Sequence, residues 1–187
     1  MKNLSVFSGD AVDHLVQPGE FNDVTPESPA LTILTDFRSH WAHVVEAHIS
    51  AADAVESMLQ ENVDIKLVIN PQGEFIGVVS YEDLSDQSIM LMQSSNRIPR
   101  REVLVSDLMH PRESIQAINY EDFRHSTVAD IIYTLQRHGQ QYYLVVDRHE
   151  HHIRGVVSSA GIARRLHKPV PVEKIPTVAN ILNAVRG

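Results

Sequence analysis

With no cysteine, the candidate chemistry of this chain lies with its histidines, carboxylates, hydroxyls and basic side chains. Disulfides, thiolate metal sites and cysteine nucleophiles are thereby excluded. Eleven histidines is a high count for 187 residues. Four of them, His138, His149, His151 and His152, gather near one predicted hairpin tip. Imidazole binds zinc, nickel or copper readily, but a hairpin loop does not fix tetrahedral geometry and no thiolate assists. The expectation is an exposed polar loop and no metal site. His40, His43 and His48 lack a ligand spacing such as H-E-x-x-H. The chain has no G-x-S-x-G, no G-x-x-x-x-G-K-[ST] and no G-x-G-x-x-G, and its eight glycines do not cluster. No catalytic residue is assigned, and the chain reads as a non-enzyme.

The informative polar pairs are a hydroxyl and a carboxylate three residues apart: Ser50 with Asp53, Ser80 with Asp83, and Thr127 with Asp130. This spacing caps a helix, because each side chain can bond an orphan backbone N–H of the first turn. Ser80 and Asp83 would cap a helix running from Tyr81 to about Met92. The same pair could instead serve a ligand. A carboxylate accepts from two adjacent hydroxyls, and a hydroxyl near a helix N-terminus meets an anion. Ser158 stands at the corresponding place later in the chain, but Gly161 occupies the position of the acid. Arg164 and Arg165 follow on the predicted helix from Ala160 to about His167. They face either a phosphate or solvent.

These residues are positioned by elements that occur twice. Ser50-Ala51-Ala52-Asp53-Ala54-Val55 recurs as Thr127-Val128-Ala129-Asp130-Ile131-Ile132, Met58 as Leu135, and Leu67-Val68-Ile69 as Leu144-Val145-Val146. The offset is constant until Gly77 and Gly155, where the longer second hairpin adds one residue. Ala51, Ala54, Val55, Met58 and Leu59 share one helical face, as do Val128, Ile131, Ile132 and Leu135. Strand pairs are predicted over Ile65–Ile69 and Phe75–Val79, joined by Asn70-Pro71-Gln72-Gly73, and over Tyr142–Val146 and Ile153–Val157. Each unit reads strand–helix–strand–strand–helix. Neither buries much surface alone, so the two should pack their sheets together.

The second copy carries an insertion, Asn119-Tyr120-Glu121-Asp122-Phe123-Arg124-His125, ahead of its first helix. The flanks differ in character. Residues 1–30 carry Pro18, Gly19, Pro26 and Pro29 and read as an arm, followed by a strand-like Leu31-Thr32-Ile33-Leu34. The prolines of residues 168–176 predict an extended linker, after which Val178, Ile181, Leu182 and Val185 form the stripe of a short helix. The expected organisation is an arm over 1–30, one repeat over 31–95, a linker and second repeat over 96–167, and a C-terminal segment over 168–187.

In combination these motifs resemble the tandem CBS-domain pair, or Bateman module. Val105-Ser106-Asp107-Leu108-Met109 is similar to the V-x-D-L-M lead-in to a CBS motif. Leu144-Val145-Val146-Asp147 resembles the family's second strand. Gly77-Val78-Val79-Ser80-Tyr81-Glu82-Asp83-Leu84 resembles its G-h-h-[ST]-x-x-D ending. The resemblance covers about residues 36–167. It implies an α/β fold of two β-α-β-β-α repeats packed through their sheets as a pseudo-two-fold pair. It also implies an adenine nucleotide (AMP, ADP or ATP) or related adenosyl ligand in the cleft between repeats, a homodimer, and a regulated protein partner of unknown identity acting in trans. By family position, Asp83 would bind ribose hydroxyls and Ser80 would lie near phosphates. Ser158 would be the weaker counterpart, and Tyr120 or Phe123 would either stack on a base or plug an empty cleft. One intact half-site, around Ser80 and Asp83, is expected.

The formal charge of −8 repels nucleic-acid phosphates over most of the surface. The local cluster of Arg97, Arg100 and Arg101 reads as solvated linker. No apolar run approaches the roughly 20 residues that span a bilayer, and the N-terminus lacks the apolar stretch of a secretory signal. No nucleic acid, no membrane and a cytoplasmic location are the expectations.

Overall fold

The computed structural model describes residues 24–173, together with Val6 and Ser8. The predicted arm falls largely outside the described residues, and the predicted C-terminal helix wholly so. Two repeats follow one plan. In the first, β2 (Val44–Glu46) leads to α1 (Ala51–Glu61), the hairpin β3 (Ile65–Ile69) and β4 (Phe75–Ser80), and then α2 (Asp86–Asn96). In the second, β6 (Ala117–Asn119) leads to α5 (Val128–His138), β7 (Tyr142–Asp147), β8 (His152–Ser158) and α6 (Ser159–Leu166). In both, the first strand runs parallel to the second, as a helical crossover requires, and the hairpin is antiparallel.

Each sheet takes its fourth strand from across the repeat boundary. β1 (Thr35–Asp36), which precedes the first repeat, pairs with β8 of the second. β5 (His110–Pro111), which precedes the second repeat, pairs with β4 of the first. The sheet orders are therefore β1-β8-β7-β6 and β2-β3-β4-β5. The helical turns ahead of these strands, Ala30–Ile33 and α3 (Val105–Leu108), are exchanged too. Ala30 N–H donates to Ser126 O and Val128 N–H to Ser28 O, while Ala51 N–H donates to Val103 O and Val105 N–H to Ile49 O.

The exchange explains two glycines. A Cβ on Gly77 would lie 2.6 Å from the His110 carbonyl oxygen, and one on Gly155 would collide with the Thr35 carbonyl. The backbone of the borrowed strand comes so close that a side chain cannot intervene.

One core lies under each sheet. Met58, Val68, Val79 and Ile89 fill the first, and Phe123, Leu135, Val145 and Ile162 the second. A third cluster joins the sheets, with Ile65, Leu67 and Val78 meeting Leu144 and Val156. The expected pseudo-two-fold pairing through sheets is therefore the arrangement observed. Among the described residues, no helix is long and apolar enough to cross a membrane.

Three local expectations are corrected. Leu31–Leu34 does not form a strand: Ala30–Ile33 is a 3-10 turn closed by the Thr32 backbone and hydroxyl on Pro29 O, and it buries Ala30 and Ile33 in the second core. The helix expected from Tyr81 starts at Asp86, because Ser80 and Asp83 close an isolated turn and Ser85 is the true cap, accepting from Ser88 N–H at 3.3 Å. Leu59 leaves the apolar face of α1 and is exposed. The insertion forms a short helix, α4 (Tyr120–Arg124), capped by Asn119.

Candidate functional site

At the end of β4 the chain turns tightly, and Ser80 and Asp83 hold the turn. Asp83 Oδ2 accepts from the Ser80 backbone N–H at 2.9 Å and from the Ser80 hydroxyl at 2.6 Å, and Asp83 N–H donates to Ser80 Oγ at 3.2 Å. The other oxygen, Oδ1, lies 3.0 Å from Nε2 of His110 on the borrowed strand β5. The Asp83 side chain is 13% exposed. Burial works against its ionisation, but the bonds from His110 and Ser80 outweigh it and hold the carboxyl below the usual aspartate range. Sequence reasoning missed His110, and only the strand exchange brings it to Asp83.

The second repeat faces this turn with Tyr142, the first residue of β7. The His110 and Tyr142 rings meet edge to face with centroids 6.4 Å apart. Burial first, and the Asp83 charge second, push the Tyr142 phenol well above its ordinary range. Between the repeats lies a cleft of about 200 Å³, open to solvent. It is built from equivalent positions of the two copies. Asp64 stands opposite Gln141 and Ile65 opposite Tyr142, with Ser80, Tyr81 and Glu82 on one wall and Ser159 and Ala160 on the other. Its volume lies below the roughly 300–1,000 Å³ of drug-sized sites, so it would enclose only part of a nucleotide.

The remaining candidates are placed elsewhere or already engaged. Ser158 caps α6, its hydroxyl accepting from Gly161 N–H at 2.9 Å, so the second copy keeps the cap without the acid. Arg164 donates to Asp64 Oδ1 at 2.7 Å, tying α6 to the first repeat, and Arg165 bonds the Thr32 carbonyl. Phe123 is wholly buried in the second core, which removes it from any ligand face. Tyr120 stacks under the Arg154 guanidinium, 4.3 Å from its ring centroid, and Arg154 forms a two-pronged ion pair with Asp36 at 2.9 Å for each bond. Neither aromatic lines the cleft beside Asp83. His149, His151 and His152 are exposed, whereas His138 bonds the Tyr143 hydroxyl at 2.8 Å. Among the described residues no three histidine or carboxylate side chains gather as a metal site would require.

Residues 42–88 match the family model of the CBS domain. No curated protein matches the chain. Solved structures of similar fold include CBSX2 in complex with AMP, 22% identical, covering 73% of this chain and 94% of that one with a TM-score of 0.51. An uncharacterized conserved protein from Pyrococcus horikoshii is 15% identical and covers 81% and 99% with a TM-score of 0.54. A hemolysin-like protein containing a CBS domain, from Oenococcus oeni PSU, is 17% identical and covers 75% and 91% with a TM-score of 0.50.

Proposed function

The chain carries a CBS domain and folds as a CBS pair, and from that premise we propose that it is a non-catalytic sensor binding an adenosine-containing ligand in the cleft between its repeats. The observation that carries this reading is the Asp83 carboxylate, bonded to Ser80 and next in sequence to Glu82, both of which line the cleft between the repeats. That carboxylate can accept from the two adjacent hydroxyls of a ribose once the His110 imidazole swings aside. The AMP bound to CBSX2, a protein of like fold, supports the choice of ligand class. The sensor acts on a protein partner in trans, as a cytoplasmic homodimer. Exposed Met90 and Leu91 on α2, with Leu59 on α1, are apolar surface available for such assembly.

Melting temperature provides the test. Adenosyl ligands at 100 times their dissociation constant stabilise a one-site protein by about 2.7 kcal/mol. Native protein should show that shift with at least one of adenosine, AMP, ADP, ATP or S-adenosylmethionine, and Asp83→Asn, which keeps the shape of the turn, should lose it. A second reading is a ligand-free interaction module. It is favoured by one observation: Asp83, Arg164 and Arg165 all have protein partners already. No melting shift with any of these ligands would establish it over the first.

A further inference from the structure

Residues 168–173 form a strap laid back over the second repeat. The chain leaves α6 through His167, whose left-handed backbone ends the helix, and Lys168 N–H closes that end on Ala163 O at 3.2 Å. Pro169 and Pro171 favour an extended path. Val170 and Val172 pack on the second core. Two glutamines hold the backbone of the strap. Gln136 Nε2, on α5, donates to the Pro171 carbonyl at 3.0 Å, and Gln141 Nε2, between α5 and β7, donates to the Val172 carbonyl at 3.2 Å.

Gln141 also belongs to the cleft wall, together with Ser159. The Ser159 hydroxyl donates to Gln141 Oε1 at 2.8 Å, and the Ser159 N–H to the Gln141 backbone carbonyl at 2.9 Å. A carbonyl only accepts, so the amide NH2 has to face Val172 and the amide oxygen has to face Ser159. One side chain therefore joins the cleft to the strap. A ligand that hydrogen-bonds this wall meets the Gln141 amide and the Ser159 hydroxyl. Turning the amide toward a ligand breaks the longer of its two bonds first. That is the bond to Val172, which exceeds the usual N–H···O distance of roughly 2.9–3.0 Å. The strap is then held by the exposed Gln136 bond and by two half-buried valines.

We propose that Gln141 is a relay between cleft and strap: a ligand in the cleft draws its amide from Val172, and the strap lifts, uncovering the apolar surface of the second repeat beneath Val170 and Val172. The inference rests on the proposed function and deepens it by naming what ligand binding changes. Such coupling is reciprocal, so loosening the strap at a point outside the cleft tightens ligand binding.

The chain has no cysteine, so Val170→Cys or Val172→Cys places a single thiol on the covered face of the strap. Its rate of labelling by a maleimide should be measured on the full chain. The probe is whichever of adenosine, AMP, ADP, ATP and S-adenosylmethionine gives the largest melting shift, with saturation checked by calorimetry. The bound ligand should speed labelling about fivefold or more. Gln136→Ala changes a residue that touches the strap and is not part of the cleft lining. It should bind the same ligand more tightly than native protein, by about fivefold where it frees the strap fully. Labelling unchanged or slowed by saturating ligand, or no gain in affinity in Gln136→Ala, would overturn the relay and leave the proposed function standing. Failure of all five probes to bind would overturn both.

Discussion

The carboxylate of Asp83 is shared between the turn that carries it and a histidine from the strand that precedes the second repeat. Both oxygens are engaged, so this residue is structural before it is functional. Asp83→Ala should cost about 1–3 kcal/mol in denaturant unfolding, because it strands the Ser80 N–H and removes the bond between the turn and His110; an unchanged midpoint would refute that structural role. A second tie recurs at one pair of positions in both copies, joining the last turn of the first helix to the following strand. In the first copy buried Lys66 bonds Glu61 and, at 2.7 Å, Ser57; in the second, Tyr143 bonds His138. The Lys66 ammonium, with help from His43 and Ser57, overrides the opposing effect of burial and lowers the Glu61 carboxyl from 4.5 to about 2. A folded pKa below the unfolded one stabilises above the unfolded value, and that stabilisation is lost as pH falls through the folded one. Stability should therefore decline between about pH 4.5 and 2, and Glu61→Gln should flatten that decline in acid titrations. Equal slopes in both proteins would contradict the account.

At the scale of elements, the borrowed strands explain both what the sequence disclosed and what it hid. The helical stripes, the Ser50 and Thr127 caps and the two hairpins were legible because each is a local pattern of period and cap. The destination of β1 and β5 was not. A strand of two residues has no period, and nothing in Thr35-Asp36 says which sheet receives it. His110 stayed hidden for the same reason. For Phe123 the sequence leaves stacking on a base and plugging an empty cleft both open, because nothing in an insertion says where the helix carrying it docks. The start of α2 was misread because Ser80/Asp83 and Ser85 both carry cap chemistry, and only packing of Leu84 and Ile89 decides between them. The close approach at Gly77 and Gly155 makes a direct prediction. Either glycine to alanine should lower stability by about 1–3 kcal/mol, as overpacking does, and urea unfolding would expose a neutral substitution as evidence against the exchange. Arg154→Ala should likewise loosen β1, by about 1–3 kcal/mol, since it abolishes a charged bond pair to Asp36 and the stack on Tyr120.

For the whole molecule, the exchange means that neither half owns a complete sheet. Unfolding should be one cooperative transition with equal calorimetric and van't Hoff enthalpies, and two resolved peaks would show that the repeats are independent. The two halves are alike in plan and unequal in chemistry. The first gathers an acid, a hydroxyl and a borrowed imidazole at the end of β4, whereas the second has a capped helix with Gly161 in place of the acid. We propose that this inequality leaves one working site per chain. Binding stoichiometry measured by equilibrium dialysis, with the tightest adenosyl ligand from the melting series, tests it most directly. One ligand bound per native chain and none per Asp83→Asn chain is the predicted result; two equivalent ligands per chain, or undiminished binding by the variant, would contradict it.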